Sequence, residues 1–132
     1  ARFATSGINL GLFCSTPAVA LTRTISEKRA AEMLFTGDFI DAETAARWGL
    51  VNECVDDEAL STAALAMAAR IASKSAHALR SGKALLRNLR GASVQDAYSL
   101  AGKNMACDMK SADAQAGISA FIHKQPTPGW KH

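Results

Sequence analysis

Aromatic residues make up only 6% of this 132-residue sequence and charged residues only 20%. So few rings leave little material for a surface on which bases stack, and a formal net charge of +3 is small for a chain that wraps phosphates, so nucleic acid is not an expected partner. Cysteine is scarce as well. Cys14, Cys54 and Cys107 stand far apart with no CxxC unit, which excludes a disulfide framework and leaves free, buried thiols as the expectation. The histidines His77, His123 and His132 are equally scattered and none sits in HExxH or a similar spacing, so no metal site is expected. No run approaches the roughly 18 apolar residues of a membrane helix. The opening residues lack the basic-then-apolar order of a secretory leader. The expected state is soluble and intracellular, with no membrane partner: cytoplasmic, or in the mitochondrial matrix of a eukaryote.

What is present is a hydrophobic fraction of 48%, enough to exclude disorder. A domain of this size buries roughly two thirds of its unfolded surface, so one compact domain, or part of one, is expected. The charge that exists is locally patterned. Arg80, Lys83, Arg87 and Arg90 fall at i, i+3, i+7 and i+10 and share one helical face, which suits either a solvated surface opposite Leu79, Leu86 and Leu89 or a meeting with an anion. The neighbouring Ser81-Gly82-Lys83 is no phosphate loop, because His77 stands where the earlier glycine is needed and Ala84 where the Ser or Thr is needed.

Read for secondary structure, Phe3 to Leu12 suits a short strand and a functional loop. Ser15-Thr16-Pro17 opens a helix to about Arg23, Ser26 caps another that ends at Gly37, and Asp41 caps a third that closes at Gly49. Leu50 to Val55, between Gly49 and Asp56-Asp57-Glu58, is predicted as a second strand. Four longer helices follow, over Ala59 to Ala72, about Ala76 to Arg90, Val94 to Met109 behind a Ser93/Asp96 capping box, and about Ser111 to His123. An extended tail carries Pro126, Pro128 and Gly129. Two lone strands make no stable sheet, and the sequence opens at Ala1-Arg2-Phe3. The expectation is the later part of a larger α/β domain, or strands that pair with something absent.

The ordered series Phe3 to Leu12, Ala31-Glu32-Met33-Leu34-Phe35-Thr36-Gly37-Asp38, Ile40-Asp41-Ala42-Glu43-Thr44-Ala45, Trp48-Gly49-Leu50-Val51-Asn52 and Gly117-Ile118-Ser119-Ala120-Phe121-Ile122-His123-Lys124 resembles the crotonase, or enoyl-CoA hydratase/isomerase, family. The run Gly11 to Pro17 is similar to its subgroup of enoyl-CoA hydratase domain-containing proteins. The fold class this implies is α/β: a crotonase-like spiral of ββα repeats, of which this chain is the mostly helical C-terminal part. Residues 1–58 would end the spiral core, and residues 59–132 would form a helical oligomerisation region that builds homotrimers or hexamers. The Ala63, Ala64, Ala68 and Ala72 face allows the close helix approach that an assembly module needs.

The resemblance further implies a coenzyme A thioester as substrate or ligand, with no tightly bound cofactor. Its carbonyl would be polarised by two backbone N–H groups that hold the developing enolate oxygen, and both would lie upstream of Ala1. Hydration also needs two carboxylates, one for the attacking water and one for the proton at the neighbouring carbon. In the family one of these lies upstream and the other falls at the position of Gly7, where this sequence has no side chain, and its first acidic residue is Glu27. Gly7 has three readings. It serves the backbone through positive φ or close approach; it opens a pocket lined by Ser6, Asn9, Cys14 and Ser15; or it marks a protein that binds acyl-CoA without turnover. Cys14 has no histidine near in sequence to activate it as a nucleophile. Phe121 and Lys124 match family positions at the adenine end of coenzyme A, although an apolar helix stripe and a helix C-terminus explain both without a ligand.

Overall fold

Glycine and serine set the boundaries of most elements. The computed structural model describes residues 1–130, and two compact units emerge, Ala1–Leu60 and the residues from Ser61 onward. In the first unit, β1 (Arg2–Phe3) pairs antiparallel with β2 (Ile40–Asp41), Arg2 opposite Asp41 and Phe3 opposite Ile40. Between them come a 3-10 turn over Ser6–Leu10, α1 (Ser15–Leu21) and α2 (Glu27–Thr36), and after them α3 (Ala42–Trp48). Ala30, Met33 and Leu34 of α2 stand at i, i+3 and i+4 and form the buried centre with Leu21 and Ile25, against which Phe3, Cys14, Ala18, Ile40, Trp48 and Leu50 pack. Thr5 is buried with them, and its hydroxyl donates to the Met33 carbonyl at 2.8 Å, tying the start of the 3-10 turn to α2.

Three local expectations are corrected or refined here. Leu50 to Val55 forms no strand. Gly49 turns left-handed (φ 80°), its N–H bonds the Ala46 carbonyl at 3.1 Å and the Leu50 N–H bonds the Ala45 carbonyl at 2.9 Å. Those donors close α3 and seat Leu50 on the core, so the apolar run is spent on a helix stop instead of a ladder. The second strand is instead Ile40–Asp41, and Asp41 does double duty as the cap of α3. Next, the short strand expected at the start of Phe3 to Leu12 is Arg2–Phe3, and the expected loop after it contains a 3-10 turn over Ser6–Leu10, with the Leu12 N–H folded back onto the Gly7 carbonyl at 3.0 Å. Last, the thiols are free but not all buried: Cys14 is half-buried, whereas Cys54 and Cys107 are exposed. Cys14, not Ser15, holds the N-cap position of α1.

The Asp41 cap carries a pH dependence. Its carboxylate lies below its ordinary value of 3.8, first because the Thr44 N–H donates to it at 2.7 Å, then through the Thr44 hydroxyl, with Arg47 adding a favourable charge. A depressed folded value means that the carboxylate's stabilisation is complete above 3.8 and vanishes as pH falls through that lower value. Thermal melts of the native chain and Asp41→Ala are therefore expected to differ at neutral pH and to converge well below pH 3.8; a gap that persists in acid would show that the charged cap is not its source.

The second unit contains α5 (Ala76–Asn88), α6 (Val94–Asp108) and α7 (Ala112–Ile122), preceded by α4 (Leu60–Ala72), which spans the boundary between the units. Ser75, Ser93 and Ser111 cap the last three helices by accepting from the N–H groups of Ala78, Asp96 and Ala114 at 3.1, 3.1 and 3.2 Å. Among its described residues only Ser75 is buried. Leu65, Leu86, Val94, Tyr98, Met105 and Phe121 all lie exposed. The expectation that Leu86 lies opposite the cations is wrong. Three residues after Lys83 and four before Arg90, it belongs to their row. No helix among the described residues is long and apolar enough to cross a membrane.

Candidate functional site

The turn that carries Gly7 is closed by two backbone bonds, Gly11 N–H to the Ile8 carbonyl at 3.1 Å and Leu12 N–H to the Gly7 carbonyl at 3.0 Å. Gly7 itself has no positive φ, so the conformational reading of this glycine falls away. Close approach remains. A Cβ placed on Gly7 would sit 2.7 Å from the Cys14 Sγ and 2.8 Å from the Leu12 carbonyl oxygen. The space beside the backbone is therefore filled by Cys14 and the returning loop, and the direction a side chain would take is not an open pocket.

Ser6, Asn9, Cys14 and Ser15 each have their own surroundings within the first unit. Ser6 and Asn9 are exposed and neither side chain makes a hydrogen bond among the described residues. Asn9 lies against Gly37, where an added Cβ would meet its side-chain amide at 2.9 and 3.0 Å. Cys14 faces Gly7 and the core. The exposed Ser15 hydroxyl donates back to the Phe13 carbonyl at 3.4 Å. Phe13 in turn stacks on Phe35 with ring centroids 5.5 Å apart.

Phe121 and Lys124 stand at the end of α7. Phe121 is 85% exposed and does not contribute to the apolar packing that the helix stripe implied. Lys124 is the only non-glycine residue with positive φ, at 53°, among the described residues. Its N–H bonds the Phe121 carbonyl at 3.2 Å and the Gln125 N–H reaches the Ala120 carbonyl at 2.8 Å, the same left-handed stop that Gly49 gives α3. A lysine in that conformation is a local strain of the kind found at functional positions.

A polar cluster that the sequence reading did not assemble lies in the second unit. Asp108 accepts from the Ser81 hydroxyl at 2.8 Å and the Asn104 amide at 2.7 Å, while its other oxygen lies 3.1 Å from His77 Nε2. Ser75 donates to the Asp113 carboxylate. The legible signal was two polar pairs at i, i+4, His77/Ser81 and Asn104/Asp108, on facing helices. These residues do not form a nucleophilic relay, because the Ser81 hydroxyl bonds Asp108 and Asn104 and no hydrogen bond joins it to His77 among the described residues; the arrangement clamps α5 to α6. Next to it lies a cavity of about 650 Å³ whose walls include His77, Asp108, Asp113, Ile118 and Trp130, and neither Phe121 nor Lys124 lines it. No group of three His, Cys, Asp or Glu that could hold a metal occurs among the described residues; His132 lies outside them.

Known proteins resemble this chain over nearly all of its length. The family described as enoyl-CoA hydratase/isomerase matches residues 1–132. Enoyl-CoA hydratase domain-containing protein 3, mitochondrial, of Rattus norvegicus is 45% identical over 130 residues, which cover 98% of this chain and 43% of the rat protein. The crystal structure of an enoyl-CoA hydratase from Mycobacterium smegmatis superposes with a TM-score of 0.89 at 46% identity, covering 98% of this chain and 50% of that one. Human enoyl-CoA hydratase domain-containing protein 3 superposes with a TM-score of 0.84 at 39% identity, covering 97% and 51%. The chain thus spans about half the length of these relatives.

Proposed function

Because this chain belongs to the enoyl-CoA hydratase/isomerase family, we propose that it is the C-terminal portion of a protein that binds and acts on acyl-CoA thioesters. The observation that carries this reading is the match to the family over all 132 residues. Within that protein the part played by residues 1–58 is to complete the spiral core beside the thioester, with the exposed Ser6, Asn9 and Ser15 as polar groups on the substrate side, whereas Cys14 packs on Gly7 and the core. Residues 59–132 make the subunit contacts of a homotrimer or hexamer, and exposed apolar side chains of the second unit away from the α5 cations, such as Leu65, Tyr98 and Met105, support that role. Phe121 and Lys124 hold the adenine end of coenzyme A: the ring is exposed for stacking, and the backbone tolerates a left-handed lysine. Gly7 brings no carboxylate, so hydration by the two-carboxylate route does not run from this half, nor does isomerisation that needs the same glutamate. The mitochondrial naming of the rat relative supports the matrix as the compartment in a eukaryotic source.

A second reading, acyl-CoA binding or assembly without turnover, is favoured by the filled space beside Gly7. Calorimetric titration of crotonyl-CoA into the complete polypeptide that carries these residues, together with the absorbance of the enoyl thioester, separates the readings. Saturable binding is expected on both readings, and no loss of absorbance is expected because hydration lacks its carboxylate; a thioester converted in another way keeps the first reading, and one recovered unchanged gives the second. Hydration would overturn the reading of Gly7, and absent binding would overturn the acyl-CoA reading and leave an assembly module. Lys124→Gly is expected to raise stability by about 1 kcal/mol through relief of the left-handed strain, and to weaken coenzyme A binding about tenfold or more through loss of one charge-assisted contact. Unchanged affinity in that variant would remove Lys124 from the site.

A further inference from the structure

Helix α5 contains no acidic residue, yet Arg80, Lys83 and Arg87 project along one of its faces and Arg90 continues the row just beyond its end. Together with Leu86 they line one open groove. The ion pairs among the described residues are Arg29–Glu32 and His77–Asp108, so no described carboxylate lies within 4 Å of any of the four cations, and none of their side chains makes a hydrogen bond to a described residue. Like charges three and four positions apart on a helix repel. The negative end of the helix dipole offsets this for Arg87 and Arg90 but not for Arg80 and Lys83, which stand too far from the last turn. Three of the four are arginines, whose planar forks match phosphate oxygens two at a time. Leu86, 66% exposed, gives the floor of the groove an apolar spot against which the uncharged part of a ligand can rest.

We propose that this groove is a binding site for a phosphate-bearing anion with at least two negative charges, either a free polyphosphate or nucleotide or the headgroups of an anionic lipid. Bound phosphate relieves the repulsion along α5 and gives partners to donors that have none among the described residues. The inference stands apart from the acyl-CoA reading and needs none of its residues.

The test titrates inorganic tripolyphosphate into the full chain by calorimetry at low ionic strength. In parallel, the chain is sedimented with vesicles of phosphatidylglycerol or of phosphatidylcholine. Saturable binding is expected that weakens steeply with added salt and falls about tenfold or more in the double variant Lys83→Glu/Arg87→Glu. The same net-charge change placed elsewhere, Arg23→Glu/Lys28→Glu, is expected to cost about twofold or less. The milder Lys83→Ala/Arg87→Ala pair is expected to lie between the two, and it decides the matter should charge reversal disturb the helix. Binding of tripolyphosphate alone identifies a free phosphate ligand, and binding of phosphatidylglycerol vesicles alone identifies lipid headgroups; both support the site. The proposal is overturned if neither probe binds, if the two charge-matched variants lose affinity equally, or if the groove variants abolish self-association of the chain while phosphate has no effect, which would give the groove to an acidic segment of a second copy.

Discussion

Replacing Gly37 with alanine is expected to lower the unfolding free energy by about 2–4 kcal/mol. Two effects add. Gly37 closes α2 in the left-handed region at φ 69°, where a Cβ costs about 1–2 kcal/mol. It is also buried, and a Cβ there would lie 2.7 Å from Ile8 Cγ2 and 2.9 Å from the Asn9 amide nitrogen. The 3-10 turn has little freedom to withdraw, because Thr5 anchors it to the same helix through the Met33 carbonyl. Gly49→Ala is the internal control: its φ of 80° is similar, but an added Cβ meets nothing within 4 Å, so it should show the conformational part alone. Urea melts of the two variants measure the difference, expected at about 1–2 kcal/mol. Equal losses would mean that the turn moves freely against α2 and that the packing of Asn9 on Gly37 contributes nothing.

Gly7→Glu, the substitution that puts a carboxylate where the resemblance calls for one, is expected to destabilise the chain by about 1–3 kcal/mol and, in the complete polypeptide that carries these residues, to confer no hydration of crotonyl-CoA. The new Cβ meets the Leu12 carbonyl oxygen, which belongs to a loop already closed by the Leu12 N–H on the Gly7 carbonyl. It also meets the Cys14 Sγ, and a side chain can yield where a backbone cannot. Gly7→Ala/Cys14→Ala is accordingly expected to recover part of the loss of Gly7→Ala, and a double-mutant cycle read by chemical denaturation gives the coupling. Additive losses would show that the sulfur is not the obstacle. A Gly7→Glu protein of native stability that hydrates crotonyl-CoA would show that the loop relaxes and that the missing carboxylate was the only barrier to that reaction.

Most of the helical frame was legible because helix ends are written locally. Asp41, Ser93, Gly37 and Gly49 stop or start helices through bonds to residues a few positions away, and each acts as its residue type suggests. The family was legible for a related reason: the motifs from Met33 to Asn52 are packed into one short stretch that includes buried Met33, Leu34 and Ala45. The strand at Ile40–Asp41 was not legible. Two residues carry no periodicity, and what makes them a strand is Arg2–Phe3 arriving from far off in sequence. The apolar run from Leu50 misled because burial of Leu50 looks the same in a ladder as in a helix stop.

The candidate site divides along the same line. Sequence by itself determined the family motifs, the absence of a carboxylate at Gly7 and the cationic row from Arg80 to Arg90, because these depend on residue identity and helical spacing alone. Only the tertiary structure decided that Gly7 is a point of close approach and not an open pocket, that Asn9 rests on Gly37, that His77, Ser81, Asn104 and Asp108 meet, and that no described carboxylate comes within 4 Å of the cationic row. Each of those is a distance between groups on separate elements or on the two limbs of a folded loop, and such distances come from packing and loop closure, which no local pattern of residues encodes.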